Sequence, residues 1–292
     1  MTSCPICRGR LNERPRVRLN GASLTECVEC QSWIYAPRPE QTAQAAIHDS
    51  AEYFDHPYFD LRRAITPALK SRCRMTFDRI GRCTDLQSLR GQRFLDIGCD
   101  TGAFAQCARE EFGVVPVGID VAGRAVAAAQ ARGIEAYQTT IEQAPGQLRN
   151  FKLITAIDIV EHVSDPARFL KELGSRLAPG GLAYVETPNI RSTVYRLGAR
   201  VCRVTGGQPA AIWDRLFPAQ HLQYFTPRSF AAVVRGADLD ARLVETRVLP
   251  QRDLATGQVV RLAVGAMQAF DRLWNDRILI TAVLAKPAEG RA

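Results

Sequence analysis

Two cysteine pairs near the start of the chain have the spacing of metal ligands. Cys4-Pro5-Ile6-Cys7 and Cys27-Val28-Glu29-Cys30 each hold two residues between their sulfurs. That spacing lets both thiolates of a tight turn converge on one ion, and two such turns complete a tetrahedral four-sulfur set. Nineteen residues separate Cys7 from Cys27. Zinc suits the set, because it has no redox chemistry and no demanding geometry. Four sulfurs leave no open coordination position, so the expected role is structural. The ion would supply folding energy that a ribbon of residues 1–36 cannot obtain from its own core. Four unrelated thiols, or a redox pair, are the competing readings. The scattered Cys73, Cys83, Cys99, Cys107 and Cys202 read as small buried hydrophobes.

A second chemical group is the run Arg93-Phe94-Leu95-Asp96-Ile97-Gly98-Cys99-Asp100-Thr101-Gly102. Its apolar start reads as a strand, and Gly98 permits a turn that a bulky residue cannot make, with close approach of a ligand. Asp120 lies 22 residues beyond Gly98 at the end of the next apolar segment. A carboxylate there can accept both hydroxyls of a ribose. NAD and S-adenosylmethionine both satisfy those two features, and Asp96 separates them. A carboxylate beside the loop repels a pyrophosphate, whereas Asp96, with Asp100, attracts the ammonium of a methionine moiety. The full GxGxxG dinucleotide fingerprint is also missing. The competing reading of Asp96 is a strand-end cap for the following helix.

These residues need a scaffold, and the pattern supplies one. Strands are expected at Arg93–Ile97, Val114–Ile119, Ile134–Tyr137, Lys152–Ile157 and Leu182–Glu186, with helices at Ala103–Glu111, Arg124–Ala131 and Pro166–Leu177. Pro179-Gly180-Gly181 is expected to turn the chain into the fifth strand. Two late strands, around Ala241–Val248 and Arg277–Ala285, flank a helix at Gln258–Trp274. The alternation predicts an α/β fold: a doubly wound, mostly parallel, seven-stranded sheet with ligands at the C-terminal strand ends. Residues 1–36 form the ribbon, with Trp33, Ile34 and Tyr35 as its apolar seam. Residues 37–90 are a largely helical linker and candidate lid, with Tyr53, Phe54, Tyr58 and Phe59 as a packing cluster. Residues 91–292 form the main domain, with an insertion at 189–230 near the active face. Thr226-Pro227 reads as the N-cap and first position of a helix.

Composition narrows the partners. The formal charge is +8, from 38 basic and 30 acidic residues, and the basic residues are spread without a long run or an alternating basic–aromatic tract. The ribbon holds five arginines and three glutamates. Four thiolates around one Zn2+ would bring it near neutrality and the chain to +6. Nucleic acid is therefore the weaker expectation. No transmembrane segment is expected, since charged residues recur too often. The start Met1-Thr2-Ser3-Cys4-Pro5 lacks a basic segment followed by an apolar one. A reducing cytoplasmic location fits the cysteine usage.

Taken together, these segments resemble the class I S-adenosylmethionine-dependent methyltransferases, particularly the ubiquinone-biosynthesis-like branch. The resemblance rests on Leu95–Gly102, Gly118-Ile119-Asp120 and Asp158-Ile159-Val160-Glu161-His162-Val163-Ser164-Asp165-Pro166. It also rests on Leu177-Ala178-Pro179-Gly180-Gly181, Glu186-Thr187-Pro188-Asn189 and His221-Leu222-Gln223-Tyr224-Phe225-Thr226-Pro227. With the CxxC pairs, the chain is similar to a bacterial subgroup that joins a zinc ribbon to such a domain. The resemblance implies that Asp96, Gly98 and Gly102 shape the methionine pocket and that Asp120 binds ribose. It places Ile141 and Glu142 beside the adenine and Asp158 along the cofactor cleft. The family has glycine where this chain has Asp100, an aspartate that can enter left-handed backbone at some cost.

The implied reaction is an in-line displacement at a sulfonium methyl, so the protein must align the reactants and manage the acceptor's proton. His162 is the expected base, since an imidazole with its ordinary pKa of about 6.5 is largely neutral at pH 7. Glu161 would orient it, bind substrate or share a divalent ion. The alternative for this pair is a hydrogen-bonding role at the helix start. His221 is expected as a second base or substrate ligand, with Tyr224 and Trp213 bordering the acceptor. The expected acceptor is small or lipid-linked, with a hydroxyl or activated carbon on a sugar or phenol. Two alternatives stand beside it: an RNA base methyltransferase gripping RNA through the ribbon, and a noncatalytic cofactor-binding or scaffolding protein.

Overall fold

The computed structural model describes residues 3–19, 21–38, 64–249, 258–274 and 276–287. The expected cluster of Tyr53, Phe54, Tyr58 and Phe59 lies outside them. The ribbon contributes three antiparallel strands: β1 (Val17–Leu19), β2 (Ala22–Glu26) and β3 (Trp33–Ala36). Successive side chains of β3 face opposite ways. Trp33 and Tyr35 join a cluster with Val194, Tyr195 and Phe217, whereas Ile34 packs with Cys4, Cys27 and Cys30. The expected seam is thus split between two layers.

The four cysteines come together as their spacing requires. Their sulfurs lie within 4.8 Å of one another. Cys4 Sγ is 3.7 Å from Cys30 Sγ, and Cys7 Sγ is 3.5 Å from Cys27 Sγ. The edge of a Zn–S tetrahedron is about 3.8 Å for bonds of about 2.3 Å. Burial pushes the Cys27 thiol up to about 12, which keeps it protonated until a cation favours the thiolate.

Helix α1 (Pro67–Gly81) begins where Thr66 accepts a hydrogen bond from Leu69 N and proline occupies the first turn. It leads into the main sheet: β4 (Arg93–Ile97), α2 (Ala103–Phe112), β5 (Val115–Asp120), α3 (Gly123–Ala131), β6 (Glu135–Gln138), β7 (Phe151–Ile157), α4 (Pro166–Arg176) and β8 (Leu177–Pro188). The insertion then forms α5 (Thr193–Val204), α6 (Ala210–Leu216) and β9 (Gln223–Tyr224). The chain closes with α7 (Pro227–Arg235), β10 (Asp240–Arg247), α8 (Gln258–Trp274) and β11 (Leu279–Ala285). Thr226 caps α7 in a reciprocal capping box with Ser229.

Seven strands order as β10-β11-β8-β7-β4-β5-β6, and only β11 runs antiparallel to its neighbours. This is the sheet expected for the class I fold. Connections from β4 proceed outward through β5 and β6, then return to β7 on the other side. The C-terminal ends of β4 and β7 therefore border the crevice where such sheets bind ligands. One face packs Leu95, Ile97, Val117 and Ile154 against Phe169, Leu173 and Phe230. The other packs Phe94, Leu153 and Tyr184 against Phe77 and Ala108.

Two features depart from the expected elements. Pro179–Gly181 lies inside β8 rather than before it. Pairing with β7 steps from Phe151–Leu177 to Leu153–Leu182, so the extra residues form a bulge with Gly180 at φ +68°. The insertion also adds an unexpected strand to the ribbon, where β9 pairs with β3 as the fourth strand of that sheet. No helix of the described residues is long and apolar enough to cross a membrane.

Arg176, at the end of α4, fastens the loop after β6. Its guanidinium donates to four backbone carbonyls: Ile141 (3.2 Å), Ala144 (2.9 Å), Pro145 (2.8 Å) and Leu148 (3.2 Å). Without it these acceptors lose a charged donor that no nearby residue replaces. Arg176→Met should lower the free energy of unfolding by about 2–4 kcal/mol. The same change at exposed Arg149 should move it by less than about 0.5 kcal/mol. Urea unfolding of the two variants checks this.

Candidate functional site

The crevice begins in the backbone of the loop after β4. Gly98, Asp100 and Gly102 all have positive φ, at +72°, +46° and +75°. A Cβ on Gly98 would lie 2.1 Å from Ile159 Cδ1, and one on Gly102 would lie 2.9 Å from Ala129 Cβ. Asp100 adopts the left-handed conformation that glycine would take, so the loop keeps its shape despite the departure. Its backbone N–H donates to Asp120 Oδ2 at 3.0 Å, and Ala122 N donates to Asp120 Oδ1 at 2.9 Å. Each carboxylate oxygen keeps a lone pair for a further donor.

Three acids gather here. Asp96 is buried on β4 and accepts a 2.6 Å hydrogen bond from Thr155 Oγ1 on β7. Burial, reinforced by Asp120 and Asp100, pushes its carboxyl up to about 7 despite the Thr155 hydrogen bond. Burial likewise raises Asp120 to about 6, against the backbone donors that favour its charged form. The crevice therefore carries acid groups held above their ordinary range, and a cation placed among them would restore ionisation. A phosphate would meet repulsion.

Asp158, at the end of β7, has φ +58° and accepts from Arg72 Nη2 of α1 at 2.8 Å. The same guanidinium nitrogen reaches Glu186 Oε1 at 2.9 Å. Glu186 is fully buried and also receives Arg247 Nη2 (2.6 Å), Arg247 Nε (2.8 Å) and Tyr184 OH (2.7 Å). The two arginines hold the Glu186 carboxyl below its ordinary range despite burial. Sequence reasoning found Asp158 but missed Arg72, Arg247 and Thr155. The only trace of Glu186 was its place in the Glu-Thr-Pro-Asn segment. On the far side, Ile141 is packed in the core, and Glu142 is partly exposed next to it.

Glu161, His162 and His221 converge, with one potential ligand atom of each within 4.8 Å of the others. They come from two segments, the turn after β7 and the end of the insertion. In a helix, adjacent residues 161 and 162 would diverge; the turn closed by His162 N to Ile159 O brings both to His221. The two imidazole rings meet edge-on, with centroids 4.7 Å apart. Glu161 is fully buried and accepts from Thr187 Oγ1 at 2.9 Å, and its Oε1 has no hydrogen-bond partner among the described residues. Burial, then Asp158, pushes its carboxyl well above the ordinary range. Such a group either keeps its proton or awaits a cation. The set of two imidazoles and a carboxylate could pass a proton or hold a divalent ion.

Gln223 of β9 supports this turn. It is fully buried, and its Nε2 donates to Val163 O (2.7 Å), Val160 O (3.0 Å) and Glu161 O (3.3 Å). Its Oε1 accepts from Arg38 at 2.9 Å. Leu222 N donates to Glu161 O at 2.9 Å. Of the two aromatics expected to border the acceptor, Tyr224 packs against His221 with ring centroids 5.3 Å apart but is fully buried, because pairing of β9 with β3 sets it opposite Trp33, and Trp213 of α6 is packed in the same cluster.

Comparison with known proteins sets this geometry in a family. The model of a methyltransferase domain matches residues 68–244, more than half of the chain. A ubiquinone biosynthesis O-methyltransferase of Methylocella silvestris is 29% identical over 159 residues, covering 52% of this chain and 60% of the relative. The chain thus spans less than two thirds of that relative's length. The fold is shared with phosphoethanolamine N-methyltransferase 2 of Haemonchus contortus, solved with S-adenosyl-L-methionine (TM-score 0.60, 15% identity, 87% of this chain and 63% of the other). It is also shared with a possible histamine N-methyltransferase of Thermotoga maritima (TM-score 0.54, 18% identity, 83% and 99%).

The raised carboxyls predict a pH effect. A group whose folded pKa lies above its unfolded value stabilises the fold at low pH, and that contribution is lost as pH rises through the folded value. For Asp96 the window runs from its ordinary 3.8 to about 7. Asp96→Asn should remove this slope, so the variant gains on the ligand-free parent as pH rises from 4 to about 7.5. Thermal midpoints of both proteins across that range check it, and parallel curves would refute it.

Proposed function

The chain belongs to the class I S-adenosylmethionine-dependent methyltransferase family, in its ubiquinone-biosynthesis-like branch, and from that premise we propose that it methylates a small or lipid-linked acceptor. The acceptor atom is a hydroxyl oxygen or activated carbon of a sugar or phenol, and the O-methyltransferase relatives favour oxygen. The observation that carries this reading is the meeting of Glu161, His162 and His221 beside the acid-lined crevice.

Asp96 and Asp100 would face the cationic methionine end, and Asp120 would accept the ribose hydroxyls. Gly98 and Gly102 would shape the methionine pocket through the left-handed backbone of the loop. Glu142, with the backbone around Ile141, would border the adenine, and Asp158, held by Arg72, would line the cleft. When bound, S-adenosylmethionine supplies an electrophilic methyl on a sulfonium leaving group. His162 takes the acceptor proton as the new bond forms, His221 binds the acceptor or receives that proton, and Glu161 orients the pair. The acceptor's nucleophilic atom must lie in line with the methyl–sulfur bond, which is a task of positioning. The cysteine set Cys4, Cys7, Cys27 and Cys30 would hold a structural Zn2+.

Calorimetry and transfer of labelled methyl into a cell extract test the reading together. The parent should bind S-adenosylmethionine, more tightly at pH 8 than at pH 5.5 as Asp96 and Asp120 ionise. Asp120→Ala should lose about tenfold or more in affinity, the scale of a lost charged hydrogen bond. His162→Ala should keep cofactor binding and lose about a hundredfold or more in turnover. Absence of binding by the zinc-loaded parent would overturn the proposal. Near-full turnover of the variant would remove His162 as base.

Zinc has its own test. Metal analysis should find about one zinc per chain. Cys27→Ser should lose the metal and speed amide exchange in residues 159–163, because Gln223 ties that turn to the ribbon sheet. Unchanged exchange after metal loss would refute the coupling.

A further inference from the structure

Outside the crevice, a cationic groove of about 250 Å3 lies where the ribbon meets α5. Arg16, Arg191, Arg196, Arg200 and Arg203 line it, with Trp33 in its wall. Arg196, Arg200 and Arg203 fall four and three residues apart on α5, so they share one face. Two of the five guanidiniums are answered by carboxylates. Arg16 Nε donates to Glu26 Oε2 at 2.7 Å, and Arg191 Nε lies 3.3 Å from Asp276. Arg196, Arg200 and Arg203 make no side-chain hydrogen bond or ion pair with any described residue. Some other arginines of the surface do pair with acids: Arg74 with Glu111, and Arg79 and Arg82 with Glu245.

Concentrating like charge in a concave site stores repulsion and focuses the field there. An anion with several oxygens relieves it, and guanidinium forks match phosphoryl oxygens in pairs. We infer that this groove is a binding site for a phosphoryl or diphosphoryl group, carried by a soluble molecule or by a lipid. Its charge is opposite to that of the Asp96–Asp100–Asp120 crevice, so the two sites take ligands of opposite sign. Packed aromatic rings join the groove wall to the histidine pair: Trp33–Phe217, Phe217–Tyr224 and Tyr224–His221 have centroids 6.3, 5.9 and 5.3 Å apart. Exposed Leu197, Val201 and Val204 lie beside the three arginines on α5, giving the lipid-borne form an apolar surface to meet.

The inference concerns binding and does not depend on methyl transfer. The test uses the full-length, zinc-loaded chain with three probes: inorganic diphosphate, vesicles containing phosphatidylglycerol, and vesicles of phosphatidylcholine alone. Trp33 lines the groove, so its fluorescence reports occupancy alongside calorimetry and vesicle flotation. Diphosphate or the anionic vesicles should bind, and the plain vesicles should not. The pair Arg200→Ala and Arg203→Ala should weaken that binding about tenfold or more, with thermal midpoint and S-adenosylmethionine affinity unchanged. Arg200→Lys with Arg203→Lys should weaken it less. Preference for diphosphate assigns the soluble form, and preference for anionic vesicles assigns the lipid form. Three results overturn the site: no binding of either probe at about 1 mM phosphoryl groups, equal binding by parent and alanine variant, or binding of RNA alone.

Discussion

The buried amide of Gln223 holds the candidate chemistry in place. Its nitrogen reaches carbonyls on both sides of the turn that carries Glu161 and His162, and its own backbone lies in the strand paired to β3. A turn after a parallel strand would otherwise rest on few hydrogen bonds of its own. An amide that satisfies carbonyls in a dry interior is costly to replace, because each orphaned acceptor carries its full desolvation cost. The ribbon is therefore part of the support for the site. Thr226 adds a second tie, donating to Cys30 O at 3.1 Å while capping α7.

Electrostatics divide the surface into two specialised regions. The crevice gathers carboxyls whose burial keeps them partly protonated, and the ribbon–insertion groove gathers guanidiniums in excess of their acids. Between them, Glu186 is satisfied by two arginines and a tyrosine, so it stays charged in the interior at a position that fixes Asp158 through Arg72. The same residue type thus behaves in opposite ways at Glu161 and Glu186. The difference lies in whether a cation reaches it.

Much of this arrangement was legible in the residues themselves. Regular strand–helix alternation gave away the sheet, and CxxC spacing gave away the cysteine cluster. The types and positions of Glu161, His162 and His221 named the group that the fold brings together. Local patterns could not show what depends on long-range pairing. Trp213 and Tyr224 read as site residues because they are aromatic and near a histidine, yet both are core: Tyr224 through pairing of β9 with β3, which leaves only its ring contact with His221, and Trp213 through packing of α6. Arg72 and Arg247 look like ordinary surface arginines until the fold closes them over Glu186. The Pro179–Gly181 segment has turn chemistry and sits in a strand, because a bulge needs the same backbone freedom as a turn.

The tie between Thr226 and Cys30 spans 196 residues of sequence. The cysteine turns can close locally, as can each strand–helix unit of the main sheet. The fourth ribbon strand cannot join until the chain has reached residue 223, and its pairing closes a long loop at an entropic cost that only late contacts repay. The strands β4 to β7 that border the donor crevice need no such closure, whereas the support of the turn bearing Glu161 and His162 rests on it.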